Sequence, residues 1–194
     1  EQVYYFDYDA MVGKPTDYNK LSWRHVESVD PALKSALGYT VWAEDPKTGV
    51  WYCVRAEYIT GILVPEQIVA EVAKRSESYN IVRRICDPHE SWYLGQANHM
   101  KIKPIYICPY NKNTRKGELI KNLQAALGNQ IKIDPKCTDL IKELEECRWS
   151  ESADGKIANS SKYHLLDSAQ YFIDLRPKKQ ETEVTTSNWE SKLY

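Results

Sequence analysis

The chain lacks any apolar run near the roughly 18 residues that a membrane span needs, so no membrane contact is expected. It begins Glu1-Gln2-Val3-Tyr4-Tyr5, without a basic segment or an apolar core, and shows no secretory signal. It also lacks an initiator Met, and the expectation is that it is a piece of something longer. It lacks a charge excess: 26 Lys and Arg stand against 27 Asp and Glu, for a net charge of −1. That balance argues against tight autonomous nucleic-acid binding, while leaving room for a local basic rim. The five cysteines (Cys53, Cys86, Cys108, Cys137 and Cys147) are odd in number and lack a C-x-x-C spacing. A full disulfide framework is therefore impossible, and a zinc site is disfavoured. Cys53, Cys86 and Cys108 fall in apolar strand-like runs and read as small buried hydrophobes in a reducing cytoplasm. No G-x-x-x-x-G-K-[ST], G-x-G-x-x-G or G-x-S-x-G occurs, which excludes a P-loop, a dinucleotide turn and a serine-hydrolase elbow. There is no internal repeat and no low-complexity block.

What is present is 194 residues, 42% hydrophobic and 27% charged, the make-up of one globular domain. Residues 1–22, rich in Tyr and Asp, read as a connection from a missing upstream segment, and residues 23–176 as the domain. Residues 177–194 read as a polar, mobile tail. Strands are expected over Arg24–Asp30, Tyr39–Glu44 and Gly49–Ile59, with Asp45-Pro46-Lys47-Thr48-Gly49 as a hairpin loop. A helix begins at Pro65, a strand ends at Asp87, and a short helical piece runs from Trp92 to Ala97. Then come a short strand over Lys103–Pro109, a helix stopping at Gly128, a strand at Ile131–Ile133, a helix after Thr138 and a last helix around Asp167. Three strands, alternating helix and strand, then helices give a mixed sheet flanked by helices, the element order of ribonuclease H-like folds.

Three acids stand out. Asp30 and Asp87 each end a predicted strand and precede a proline, and Asp167 lies on the last helix three residues after His164. Carboxylates that converge from two strand ends and a helix are hard ligands for magnesium or manganese. Two such ions about 4 Å apart can activate a water and stabilise the leaving oxygen of a phosphodiester. His164 would bind metal, orient water or move a proton. The helical wheel sets His164, Asp167, Ser168 and Tyr171 on one edge, and Leu165, Leu166, Ala169, Phe172 and Ile173 on the side that packs. Asp-Pro also simply begins turns, and Asp45-Pro46 sits in an evident hairpin, so the dipeptide alone defines no site. Glu27 is three residues before Asp30 and is expected on the opposite face of the strand. Asp139, Glu143, Glu145 and Glu146 read as a solvated helix face. Asp134 reads as a cap, and His89 and Glu90 as neighbours of the site. Arg83, Arg84, Lys101, Lys103, Lys112, Arg115 and Lys116 are candidates to flank phosphates. The site requires Asp30, Asp87 and Asp167 to face one cleft within roughly 8 Å of each other, with His164 on its rim.

The order and spacing of four segments carry a resemblance. They are Val29-Asp30-Pro31-Ala32 followed by Gly38-Tyr39-Thr40; Cys86-Asp87-Pro88; Pro135 to Leu144 with Trp149; and Tyr163-His164-Leu165-Leu166-Asp167-Ser168-Ala169-Gln170-Tyr171. Over residues 24–175 the chain resembles the C-terminal nuclease domain of tailed-phage terminase large subunits. The last segment departs from that family's His…Asp-Ala-Leu-Arg-Tyr pattern at Ser168, Ala169 and Gln170. The resemblance implies a ribonuclease H-like fold and a Mg²⁺- or Mn²⁺-dependent endonuclease with two ions. Asp30, Asp87 and Asp167 would be metal ligands and His164 an auxiliary one. It further implies double-stranded viral DNA as substrate, an upstream ATPase domain, portal and small terminase subunit as partners, and the host-cell cytoplasm as location. Two alternatives stand beside it: a resolvase or integrase-type enzyme of the same fold, and a non-catalytic docking module using the 14 Tyr and 6 Trp.

Overall fold

Runs of β-branched and aromatic residues build a meander of three strands: β1 (Arg24–Asp30), β2 (Leu37–Glu44) and β3 (Trp51–Ile59). In this computed structural model, which describes residues 1–32, 36–62, 64–109, 112–151 and 156–178, the three pair antiparallel. β4 (Ile81–Cys86) lies parallel to β1, β5 (Tyr106–Ile107) parallel to β4, and β6 (Ile131–Ile133) parallel to β3. The order across the sheet is β5-β4-β1-β2-β3-β6. Helices cover both faces, so β1 is buried at every residue after Arg24. The fold is α/β with a mixed sheet, the ribonuclease H-like arrangement expected from the element order.

On one face lie α2 (Pro65–Ser76) and α3 (Ser91–His99). Pro65 opens α2, where its missing N–H is harmless, and Ile68, Val69 and Val72 point its apolar stripe at Val29, Leu37, Tyr39 and Val41. On the other face lie α4 (Lys112–Ala126), α5 (Thr138–Glu146) and α6 (His164–Leu175) over Val26, Trp42, Trp51 and Ile85. The pleat divides β1 accordingly: Val26, Ser28 and Asp30 face α6, while Glu27 and Val29 face α2 and α3.

Residues 1–22 include a short helix, α1 (Tyr8–Met11), and this stretch is docked rather than loose. Tyr4 and Met11 are buried in the core with α4, α5 and α6, and Val12 bridges to Ile133. Asp45 sits in the β2–β3 hairpin, accepting from the Lys47 amide and the Thr48 hydroxyl, at the opposite end of the strands from Asp30. Of the expected polar tail, residues 179–194 lie outside the described residues. Among the described residues no helix is long and apolar enough to cross a membrane.

Candidate active site

Two parallel strands ending side by side define the site. Val29 of β1 is paired with Cys86 of β4, so the next residue on each strand is an aspartate, Asp30 and Asp87, at the same end of the sheet and on the α6 face. Pro31 and Pro88 follow, and neither has an N–H to extend the ladder. The Tyr171 hydroxyl is shared between the two carboxylates, 2.8 Å from Asp87 Oδ2 and 3.2 Å from Asp30 Oδ1. Burial, and then the charges of Asp30, Asp167 and Asp87, push the Tyr171 phenol well above its ordinary range, so it remains a donor. His164 Nδ1 donates to Asp30 Oδ2 at 2.7 Å, and the His89 amide donates to Asp87 Oδ1 at 2.8 Å. The bond to Asp30 raises the His164 pKa above its usual value against the opposing effect of burial.

Helix α6 places His164, Asp167 and Tyr171 along one face, at i, i+3 and i+7. The sequence pattern leaves that edge polar and unpacked; the structure packs it against the sheet. Ser168 is fully buried, its hydroxyl 2.7 Å from Thr40 Oγ1 and 2.8 Å from the Ser28 carbonyl, while Ser28 Oγ donates to the Ser168 carbonyl. Phe172 stacks on Trp42 with centroids 4.2 Å apart. The helix start lies so close to β2 that a Cβ on Gly38 would collide with the His164 carbonyl. Gly38→Ala is therefore expected to push the His164 end of α6 off the sheet. A destabilisation of about 1–3 kcal/mol by urea unfolding, typical of overpacking, would report it.

The first turn of α6 has no cap of its own, since the Tyr163 side chain makes no such bond. Glu143 of α5 supplies it: Oε2 accepts from the Leu166 amide at 2.9 Å, and Oε1 meets the Tyr58 hydroxyl. This corrects the reading of Glu143 as solvated: it is three residues after Leu140, on the buried side of α5, and only 7% exposed. Burial pushes its carboxyl from 4.5 up to about 8, against the lowering effect of two α6 amides. The folded state thus holds a proton that the unfolded chain releases near 4.5. The resulting stability is complete below about 4.5 and is lost as pH rises through about 8. Melting temperatures of Glu143→Gln measured from pH 5 to 8 should show a flatter decline than wild type.

A cleft of about 580 Å³ opens over these groups. Asp30, Asp87, His164 and Asp167 all line it, joined by Glu90, Lys116, Lys156, Ser160 and Ser161. Lys116 of α4 makes an ion pair with Asp167 Oδ1. Glu27 lies on the far face, buried against Arg84, Ser76 and Tyr106. The basic candidates separate: Arg84 is buried in the ion pair with Glu27, Arg83 donates to the Leu175 carbonyl, and Arg115 binds Glu118 and Asp174. Lys116 reaches the cleft, and so does Lys156, which sequence reasoning does not single out. Tyr171 is legible only as a residue on the His164–Asp167 face, and nothing local marks it as the bridge between two strands. All three aspartates present hard oxygen ligands to one cleft, which fits a divalent ion in donor chemistry. As the side chains stand, with Lys116 on Asp167 and His164 on Asp30, no three His, Cys, Asp or Glu groups among the described residues are gathered around one point.

No protein-family model and no curated protein matches the sequence. Solved structures do match. The large terminase of a thermophilic bacteriophage superposes with a TM-score of 0.75 at 22% identity, over 89% of this chain and 44% of that one. This chain therefore spans less than half the length of that terminase. The large terminase nuclease of thermophilic phage G20c with bound magnesium gives 0.61 at 18% identity, over 86% of this chain and 92% of that one. The large terminase nuclease domain of bacteriophage SPP1 with bound manganese gives 0.58 at 16% identity, over 77% and 85%. The fold is that of large-terminase nuclease domains.

Proposed function

We propose that this chain is the nuclease domain of a phage terminase large subunit, a Mg²⁺- or Mn²⁺-dependent endonuclease that cuts concatemeric double-stranded viral DNA during packaging. The observation that carries the reading is the pairing of Asp30 and Asp87 through Tyr171, at aligned ends of parallel strands, beside Asp167 in one cleft. The SPP1 and G20c nucleases that share the fold hold manganese and magnesium, which supports the choice of ion. Asp30, Asp87 and Asp167 would hold the ions, with His164 as an auxiliary ligand or proton carrier. Bound there, such ions supply an activated water and charge stabilisation at the leaving oxygen of a phosphodiester.

The rest falls to the chain's own groups. Tyr171 keeps one oxygen of Asp30 and one of Asp87 turned into the protein and fixes their separation. His164, with its Nδ1 proton held by Asp30, stands in the cleft wall where a proton can be given or taken. Lys116 and Lys156 offer ammonium groups to phosphate oxygens. Residues 23–176 would form the nuclease domain, with an ATPase domain, the portal and the small subunit as partners in the host-cell cytoplasm. A near-neutral charge accords with the motor and those partners holding the DNA.

The test is cleavage of plasmid, linear duplex, four-way junction and RNA–DNA hybrid with Mn²⁺ and with EDTA. Cutting of plasmid and duplex, abolished by EDTA, is the expected result. Preference for junction or hybrid would favour the resolvase or integrase-type alternative. Neither metal binding nor cutting would leave the docking module.

A further inference from the structure

The cation on Asp167 is the protein's own. Lys116 projects from the first turns of α4, and its ammonium is paired with Asp167 Oδ1 inside the cleft that Asp30 and Asp87 also line. The pair is partly sheltered, with 29% of the lysine side chain and 16% of the aspartate side chain exposed, so solvent screens it less than a surface pair. The adjacent residue joins the same two helices. Arg115 binds Asp174 at 2.9 Å, two turns along α6 from Asp167, and clasps α4 to α6 independently of Lys116. The ammonium can therefore leave Asp167 without the helices parting.

We infer that Lys116 is a positioning residue of the site: it holds the Asp167 carboxylate toward the cleft and competes there with a divalent cation, which must displace it to bind. A divalent ion on Asp167 would stand beside the Lys116 ammonium until that group moved away, and like charges a few ångströms apart in a partly sheltered cleft repel. Released, the same ammonium faces the cleft, where a phosphate oxygen is its natural partner. This rests on the metal-dependent reading above.

The experiment is calorimetric titration of Mn²⁺ into wild type, Lys116→Met, Lys116→Gln and Lys156→Met. Lys156 is a second lysine lining the cleft and serves as the control for general electrostatics. Both Lys116 variants are expected to bind Mn²⁺ about fivefold or more tightly than wild type, the factor equivalent to an ion pair worth about 1 kcal/mol. Lys156→Met should shift affinity by clearly less. Melting curves establish that each variant is folded; if Lys116→Met is not, Lys116→Gln decides. Unchanged or weaker binding in the Lys116 variants, or equal tightening in Lys156→Met, overturns the role of Lys116 and leaves the metal-dependent reading standing. No heat in wild type or in any variant at millimolar Mn²⁺ overturns both.

Discussion

Asp87→Asn is expected to lower Mn²⁺-dependent plasmid cleavage by about 10²–10³-fold or more, the scale on which one lost electrostatic group costs at a reacting centre. The fold should survive intact. Asparagine keeps the shape and an acceptor oxygen for the Tyr171 hydroxyl or the His89 amide, both of which donate to Asp87. What it removes is the charge. Asp30→Asn and Asp167→Asn should be as damaging to cleavage, though each also alters a neighbour: His164 loses its anionic acceptor in the first, and Lys116 its counter-ion in the second. Circular dichroism and melting curves beside the gel assay separate chemistry from folding. Full activity in any one of the three variants would remove that residue from the site.

Glu27→Ala should produce the largest loss of stability, about 3–5 kcal/mol by chemical denaturation, as expected when one partner of a buried ion pair is deleted. Glu27 is fully buried and accepts from Arg84, Ser76 and Tyr106 together. Burial opposes the charge on Arg84, and Glu27 and Tyr106 together more than offset it, so the guanidinium pKa lies above even its usual value. Without Glu27 that buried charge keeps the neutral Lys103 carbonyl as an acceptor but loses its counter-ion. The double variant Glu27→Met with Arg84→Met removes both charges and should recover most of the loss. A single-variant loss below about 1 kcal/mol would show that water reaches Arg84 and that the pair contributes little.

The strands that carry the site are legible because their composition leaves little choice. Arg24–Asp30 is the reading and the observed span of β1, and β2 and β3 differ from the reading only by two residues at their starts. Helix α2 begins at Pro65, as its proline dictates. Turn chemistry places Asp45 in its hairpin, and pleat parity places Glu27 on the face away from Asp30. What the chain order does not carry is contact between elements. That Glu143 caps a helix 23 residues later, that Lys116 sits on Asp167 and that one tyrosine joins two strand ends are each set by how α4, α5 and α6 settle on the sheet. Glu143 shows the limit well: its place on the buried stripe is implied by its spacing from Leu140, yet a glutamate there reads as surface until its partners are seen.

The cap that α5 lends to α6 also bears on motion. A helix whose first amides bond only to water frays locally at almost no cost. Here the Leu166 amide is bonded to a buried side chain of another helix, and that turn begins with His164 and leads to Asp167. Opening it requires α5 and α6 to separate, a subglobal event rather than end-fraying. The wall of the cleft that bears those two residues therefore belongs to the slowly exchanging part of the domain.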